Sequence, residues 1–238
     1  MELIELKNEI INKFKGDKEE LNTILELIEE DSSIYPFNEY EYLICNLLKT
    51  DKFSFDDYID IRMEYISRNP NLWIFEISSP RGFGEKFAQT YIQAKSNNIK
   101  KASKKLDKNY KGEYDLWYDG IKIEVKASRA VNSESNEPLY IKALSTNTTK
   151  KFNMNFQQLK PQYCDIFIWV AVFRDEIVTW IMNSNEVKNS PYYSMGQHRG
   201  NSGNEGQLHI TNENIKEFDK FKLKIDIEKT IKESLKRK

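Results

Sequence analysis

The sequence predicts a mixed α/β fold, with a central mixed sheet flanked by helices and preceded by a helical N-terminal region. Three observations carry this expectation. Residues 1–67 repeat apolar side chains at helical spacing. Asp119-Gly120 separates two alternating segments, and a two-residue hairpin turn needs positive φ at both of its positions. Ile166 to Phe173 (I-F-I-W-V-A-V-F) is uniformly apolar, as expected of a strand buried on both faces. The chain of 238 residues divides in expectation into a helical region, 1–78, and a sheet-containing core, 79–238.

Leu6, Ile10, Ile11 and Phe14, then Leu21, Ile24, Leu25 and Ile28, mark two helices broken near Gly16. Ser32 to Phe37 is a loop around Pro36, and a third helix carries Tyr40, Leu43, Ile44, Leu47 and Leu48. Ser54 with Asp57 is a capping signal for a fourth helix, running to about Ser67. Leu72 to Ile77 reads as a short strand closed by Ser78-Ser79-Pro80. Arg81 opens a helix to about Asn97, with Phe87, Ala88, Tyr91 and Ile92 as its buried stripe. After the hairpin come a polar loop, Asn132 to Pro138, and a strand over Tyr140 to Leu144. Asn155 to Lys160 is expected as a short helix ended by Pro161. A tight Arg174-Asp175 turn leads from the buried strand into another, Glu176 to Met182. Helical periodicity returns in the tail through Ile227, Ile231 and Leu235.

The hairpin from Glu113 to Ser128 organises the chain. A turn at Asp119-Gly120 sets Tyr118 opposite Ile121, Trp117 opposite Lys122, Leu116 opposite Ile123 and Asp115 opposite Glu124. Tyr114, Leu116, Tyr118, Ile121, Ile123 and Val125 then share an apolar face. Asp115, Trp117, Lys122, Glu124 and Lys126 share the other. Two acids directly opposed, with Cβ atoms about 5 Å apart, repel unless a cation joins them. Two carboxylates able to share a divalent cation, with an amine beside them, suit metal-assisted hydrolysis. A solvated surface hairpin offers a plainer account of these charges, but gives no reason for two acids to face each other.

Asp115 followed, after eight residues, by Glu124-Val125-Lys126 resembles the PD-(D/E)XK nuclease motif, and I-E-V-K-A-S is similar to type II restriction endonucleases. Tyr114 stands where that family's motif has proline. The resemblance implies a restriction-endonuclease-like core and Mg²⁺-dependent, sequence-specific cleavage of double-stranded DNA that leaves 5′-phosphates. It also implies a homodimer, and a DNA methyltransferase of the same system that is not a physical partner. On this basis Asp115, Glu124 and the Val125 carbonyl hold the metal. Lys126, kept charged by its acid neighbours, orients water and stabilises phosphate charge. Glu85 either supplies a further catalytic carboxylate from the preceding helix or simply favours a helix N-terminus. Residues 1–78 would serve packing, dimerisation or DNA contact. A repair or junction-resolving nuclease of the same fold, and a DNA-binding module without catalysis, are the alternatives.

Charge is uneven along the chain. Residues 1–94 carry 19 acids and 10 bases, whereas 95–238 carry 18 acids and 26 bases, around a net charge of −1. Seven lysines fall between Lys95 and Lys111, so Lys104, Lys105 and Lys108, with Ser128 and Arg129 on the hairpin's second strand, are expected DNA contacts. General lysine enrichment would produce a similar excess. The 189–207 stretch holds four of the nine glycines and a set of base-reading side chains: Gln197, His198, Arg199, Asn201 and Asn204. It is either the recognition loop or an ordinary surface loop.

Several classes are excluded. Two histidines and two isolated cysteines, Cys45 and Cys164, make neither a zinc site nor a disulfide framework. No phosphate-binding glycine loop appears. The start lacks a signal-peptide pattern, and the longest apolar run, eight residues, cannot cross a bilayer. The expectation is a cytoplasmic protein with no membrane partner.

Overall fold

A computed structural model describes residues 3–29, 44, 46–196 and 205–237. Helices α1 (Leu3–Lys13) and α2 (Lys18–Glu29) flank Gly16, and α3 (Phe55–Arg68) follows. At the start of α3 the Ser54 hydroxyl accepts a hydrogen bond from the Asp57 N–H at 3.1 Å, which satisfies one of the first turn's orphan donors. Ile10, Phe14, Leu21, Ile61 and Tyr65 enter the same buried cluster as Leu116, Ile123 and Val125. The N-terminal helices thus cover one face of the sheet.

The main sheet has strand order β1-β2-β3-β5-β6, from Lys100–Lys101, Leu116–Tyr118, Ile121–Arg129, Ile166–Val172 and Ile177–Asn183. β3 and β5 are parallel, and the other neighbours are antiparallel. This is a mixed α/β fold with a mixed central sheet. Every residue of β5 is buried. Ile166, Ile168, Val170 and Val172 face the helical cluster. Phe167, Trp169, Ala171 and Phe173 face a second cluster. Burying one such side chain contributes on the order of 1.5–3 kcal/mol, so β5 nails both layers to one strand.

The second cluster is closed by a three-stranded antiparallel sheet of order β4-β8-β7, from Asn153–Leu159, Gly206–Thr211 and Tyr193–Met195. Met154, Phe156, Leu159, Leu208 and Ile210 point into it. The short helix expected over Asn155 to Lys160 is therefore strand β4. The strand expected over Tyr140 to Leu144 is a series of turns with one bridge, Ala143 to Val131.

The strand expected over Leu72 to Ile77 is instead a helical turn, α4 (Leu72–Phe75). Its start is pinned by Asn71, whose backbone N–H donates to the Arg174 carbonyl and whose side-chain amide donates to the Phe173 carbonyl, both at 3.0 Å. A short apolar run of this kind has no periodicity that separates helix from strand. Next, a π-helical segment, Gly82–Ala88, runs into α5 (Gln89–Gln93), short of the expected end at Asn97. Helix α6 (Ser184–Lys188), a 3₁₀ segment Ile215–Phe221 and α7 (Ile227–Ser234) complete the layers. Among the described residues, no helix is long and apolar enough to cross a membrane.

Candidate active site

Asp119 and Gly120 have φ of 49° and 85°, and the pairs Tyr118–Ile121, Trp117–Lys122 and Leu116–Ile123 form as the turn demands. Beyond Leu116 the ladder slips by one residue. The Asp115 N–H donates to the Ile123 carbonyl at 3.0 Å, so Asp115 and Leu116 together oppose Ile123 in a β-bulge. The Val125 N–H, which a regular ladder would give to the Tyr114 carbonyl, donates to the Asp115 carboxylate at 2.9 Å. Two sequence expectations are corrected here. Asp115 does not pair with Glu124 in the ladder, and Tyr114 does not share the face of Leu116. A one-residue slip exchanges the faces of everything beyond it. Tyr114 accordingly packs with Tyr110 and Trp117 in the second cluster, at ring separations of 4.9 and 6.2 Å.

The bulge still brings the two acids together. The other Asp115 carboxylate oxygen accepts a hydrogen bond from Gln89 Nε2 at 2.8 Å, and the Glu124 carboxyl is near enough for the two acids to feel each other's charge. Lys126 Nζ stands 2.7 Å from Glu124 Oε1, with the two side chains 20% and 14% exposed. Burial pushes the Glu124 carboxyl up to about 7; the Asp115 charge adds to this and Lys126 opposes it. Burial also raises Asp115, against the Val125 N–H and the Lys126 charge. Two desolvated acids with one lysine, paired to Glu124, carry an unmet demand for positive charge.

Asp115 and Lys126 open onto a cleft of about 690 Å³. Glu85 and Gln89 line the same wall, and Asn155, Gln157 and Gln158 of β4 line the opposite one. Glu85 is exposed at the rim and pairs with Arg81 at 3.9 Å. Its charge reaches Asp115, but the contact is made by Gln89. The reason lies in the π-helical segment. The Gln89 N–H bonds the Gly84 carbonyl, five residues back, so the turn is wider than the α spacing that placed Glu85 on the buried stripe. Gln89, buried beside Ala88 and Ile92, is the partner of Asp115 that periodicity missed. A polar side chain next to that apolar stripe was its only signal.

The Val125 side chain is buried in the first cluster, and its N–H anchors Asp115. Lys104, Lys105 and Lys108 are exposed beside the β1–β2 edge, and Ser128 is half-buried on β3. Arg129 is otherwise engaged. Its guanidinium donates to the Ile77 carbonyl and lies 3.9 Å from the centre of the Phe83 ring, which ties β3 to the π-helical segment. That bond and that stacking contact tether it between β3 and the segment before the sheet. Gln197, His198, Arg199, Asn201 and Asn204 lie outside the described residues. The chain on either side of them belongs to β7 and β8, where the Gly196 N–H donates to the Glu205 carbonyl at 2.9 Å.

Among the described residues, no three His, Cys, Asp or Glu side chains form a group that could hold a metal ion. Asp115 and Glu124 are a two-carboxylate set. Compared with known proteins, the sequence matches no protein-family model and no curated protein.

Proposed function

We propose that this protein is a Mg²⁺-dependent endonuclease of double-stranded DNA, built on a restriction-endonuclease-like core. The observation that carries the reading is that Asp115 and Lys126 line one cleft while Glu124, paired with Lys126 at 2.7 Å, stands behind them, with both acids desolvated. Such a pair is held apart from water at a cost unless a cation meets it. Mg²⁺ is commonly bound by one or two carboxylates, with water and substrate phosphate filling its remaining positions. Two acids without a third fit that pattern, and Asp115 and Glu124 are the residues that would hold the ion. Bound there, it supplies charge to a phosphate and lowers the pKa of water.

The chain's own residues do the rest. Gln89 and the Val125 N–H hold the Asp115 carboxylate in place from two directions. Lys126 donates a hydrogen bond to a non-bridging phosphate oxygen and meets the charge that grows there as water attacks phosphorus. The P–O3′ bond breaks, leaving a 5′-phosphate and a 3′-hydroxyl. A homodimer, cutting each strand once, extends the reading to both strands.

The test is purified protein with supercoiled plasmid, in Mg²⁺ or in EDTA. Discrete fragments that appear only with Mg²⁺ and vanish in Asp115→Asn support the proposal. Nicks only at branched or mismatched DNA would favour a junction or repair nuclease. No cleavage of any duplex would leave a DNA-binding module or an unrelated role.

A further inference from the structure

The wall facing the catalytic residues has a backbone feature that the proposed chemistry does not use. On β4, Phe156 pairs with Leu208 and Leu159 with Gly206, so β4 carries one more residue than its partner over this interval. The extra residue is absorbed at Gln158, whose φ of 58° is the left-handed region that favours glycine. A regular strand would turn one of two adjacent residues inward. Here Gln157 and Gln158 are both exposed, between the buried Phe156 and Leu159. Asn155 sits on the same cleft wall. Its amide nitrogen is 3.2 Å from Gln207 Oε1, and its amide oxygen is buried without a partner. Bulges beside active sites commonly re-aim a side chain, and residues held in sparsely populated conformations cluster at functional sites.

We propose that Gln157 and Gln158, supported by Asn155, read base edges of duplex DNA lying in this cleft. The inference rests on the nuclease reading of the facing wall and deepens it by naming where sequence is read. A carboxamide presents a donor and an acceptor in one plane, which matches N7 and the 6-amino group of adenine. Two adjacent amides on one exposed edge present two such pairs, and they stand across the same cleft from the group that would grip the phosphate. Phosphate contacts position DNA, and base-edge contacts specify its sequence.

The experiment uses the full chain and a library of random-sequence duplexes. Cut ends are sequenced after cleavage in Mg²⁺, and bound duplexes are sequenced after selection in Ca²⁺. Three proteins are compared: wild type, the double variant Gln157→Ala/Gln158→Gly, and Gln157→Glu. Glycine at 158 suits the left-handed backbone, and the Gln157→Glu change is nearly isosteric at an exposed position, so the fold should survive both. The expected result is that wild type prefers particular bases at fixed positions. The double variant should lose about 5- to 150-fold of that discrimination at one or two of them. Gln157→Glu should shift a preference for adenine toward cytosine, whose 4-amino group a carboxylate accepts. Unchanged base preference in both variants overturns the proposal. So does a uniform loss of affinity for all sequences, which marks phosphate contact. Wild-type cutting with no preference overturns it and leaves the nuclease reading standing, whereas wild type that neither cuts nor binds duplex overturns both.

Discussion

Gln89 Nε2 donates to Asp115 Oδ1 at 2.8 Å, joining the helix that precedes the sheet to the bulged end of β2. Asp115 receives its second hydrogen bond, at 2.9 Å, from the Val125 N–H. The carboxylate is thereby oriented by one side chain and one peptide group. Gln89→Ala removes the first and should lower kcat by about 10–100-fold, the scale for losing an outer partner of a metal-binding group. KM for DNA should change little, because Gln89 is buried and its amide is spent on Asp115. Gln89→Glu should be worse than Gln89→Ala at neutral pH, since a third acid would stand beside Asp115. Steady-state kinetics of the two variants would check this, and equal effects on kcat and KM would assign Gln89 to DNA binding.

Asp115→Asn and Asp115→Ala should separate chemistry from structure. Both should abolish cleavage. Only Asp115→Ala leaves the Val125 N–H without an acceptor inside the bulge, and an unmet buried donor costs about 1–3 kcal/mol. Asparagine keeps an acceptor at that place. Chemical denaturation should therefore show Asp115→Ala clearly less stable than Asp115→Asn. Equal stabilities would mean the bulge does not depend on this side chain.

Legibility in the sequence follows how far each element obeys a simple period. The Asp119-Gly120 turn has its own residue signature, and β5 is apolar at every position, so both could be read directly. The bulge at Asp115 could not, because nothing in E-Y-D-L-W announces a one-residue slip. Strand β4 failed for a related reason: its buried residues, Met154, Phe156 and Leu159, fall at intervals of two and then three. That spacing imitates a helix ending at Pro161. The π-helical turn likewise moved the helix's contribution from Glu85 to Gln89. Asp115, Glu124 and Lys126 were legible as a motif, while the contacts that support them arise from departures from regular geometry.

The raised carboxyl at Glu124 predicts a pH dependence with a definite sign. Its folded value, about 7, exceeds the ordinary 4.5, so the folded state keeps a proton that the unfolded chain releases. Stability is then fully supported below about 4.5 and falls as pH rises toward 7. In EDTA, wild type should lose thermal stability over this window relative to Glu124→Gln. Mg²⁺ should restore much of it, by binding the ionised acids of the folded state. Melts at pH 5 and pH 8, with and without Mg²⁺, supply the measurement. A parallel pH response in wild type and variant would show that Glu124 ionises in the fold as freely as in water.

Lys126 and Lys122 leave β3 on the same face but have different surroundings. Lys126 is on Glu124, whereas Lys122 Nζ lies 3.6 Å from Asp107 and 5.6 Å from the centre of the Tyr114 ring. Lys126→Ala should cost at least about 100-fold in cleavage rate, as for one positioned donor at a reacting phosphate. Lys122→Ala should cost far less. Single-turnover rates would decide, and equal losses would move the reacting phosphate away from Lys126.

The last prediction separates two kinds of cation that look alike in the sequence. Lys104, Lys105 and Lys108 are exposed beside the sheet edge, and Arg129 is committed to the Ile77 carbonyl and the Phe83 ring. Each phosphate contact released contributes about 0.9 to the slope of log affinity against log salt. Replacing the three lysines by alanine should weaken binding to every duplex and flatten that slope. Arg129→Ala should leave the slope nearly unchanged and lower the melting temperature, because it removes a partly buried hydrogen bond and a cation–π contact of about 0.5–2 kcal/mol. Binding in Ca²⁺ at four salt concentrations, set beside a thermal melt, tests both halves. Should Arg129→Ala flatten the slope without destabilising the fold, its guanidinium leaves Phe83 to meet DNA. Should the lysine variant lose affinity at constant slope, those side chains act through the fold and not through phosphate.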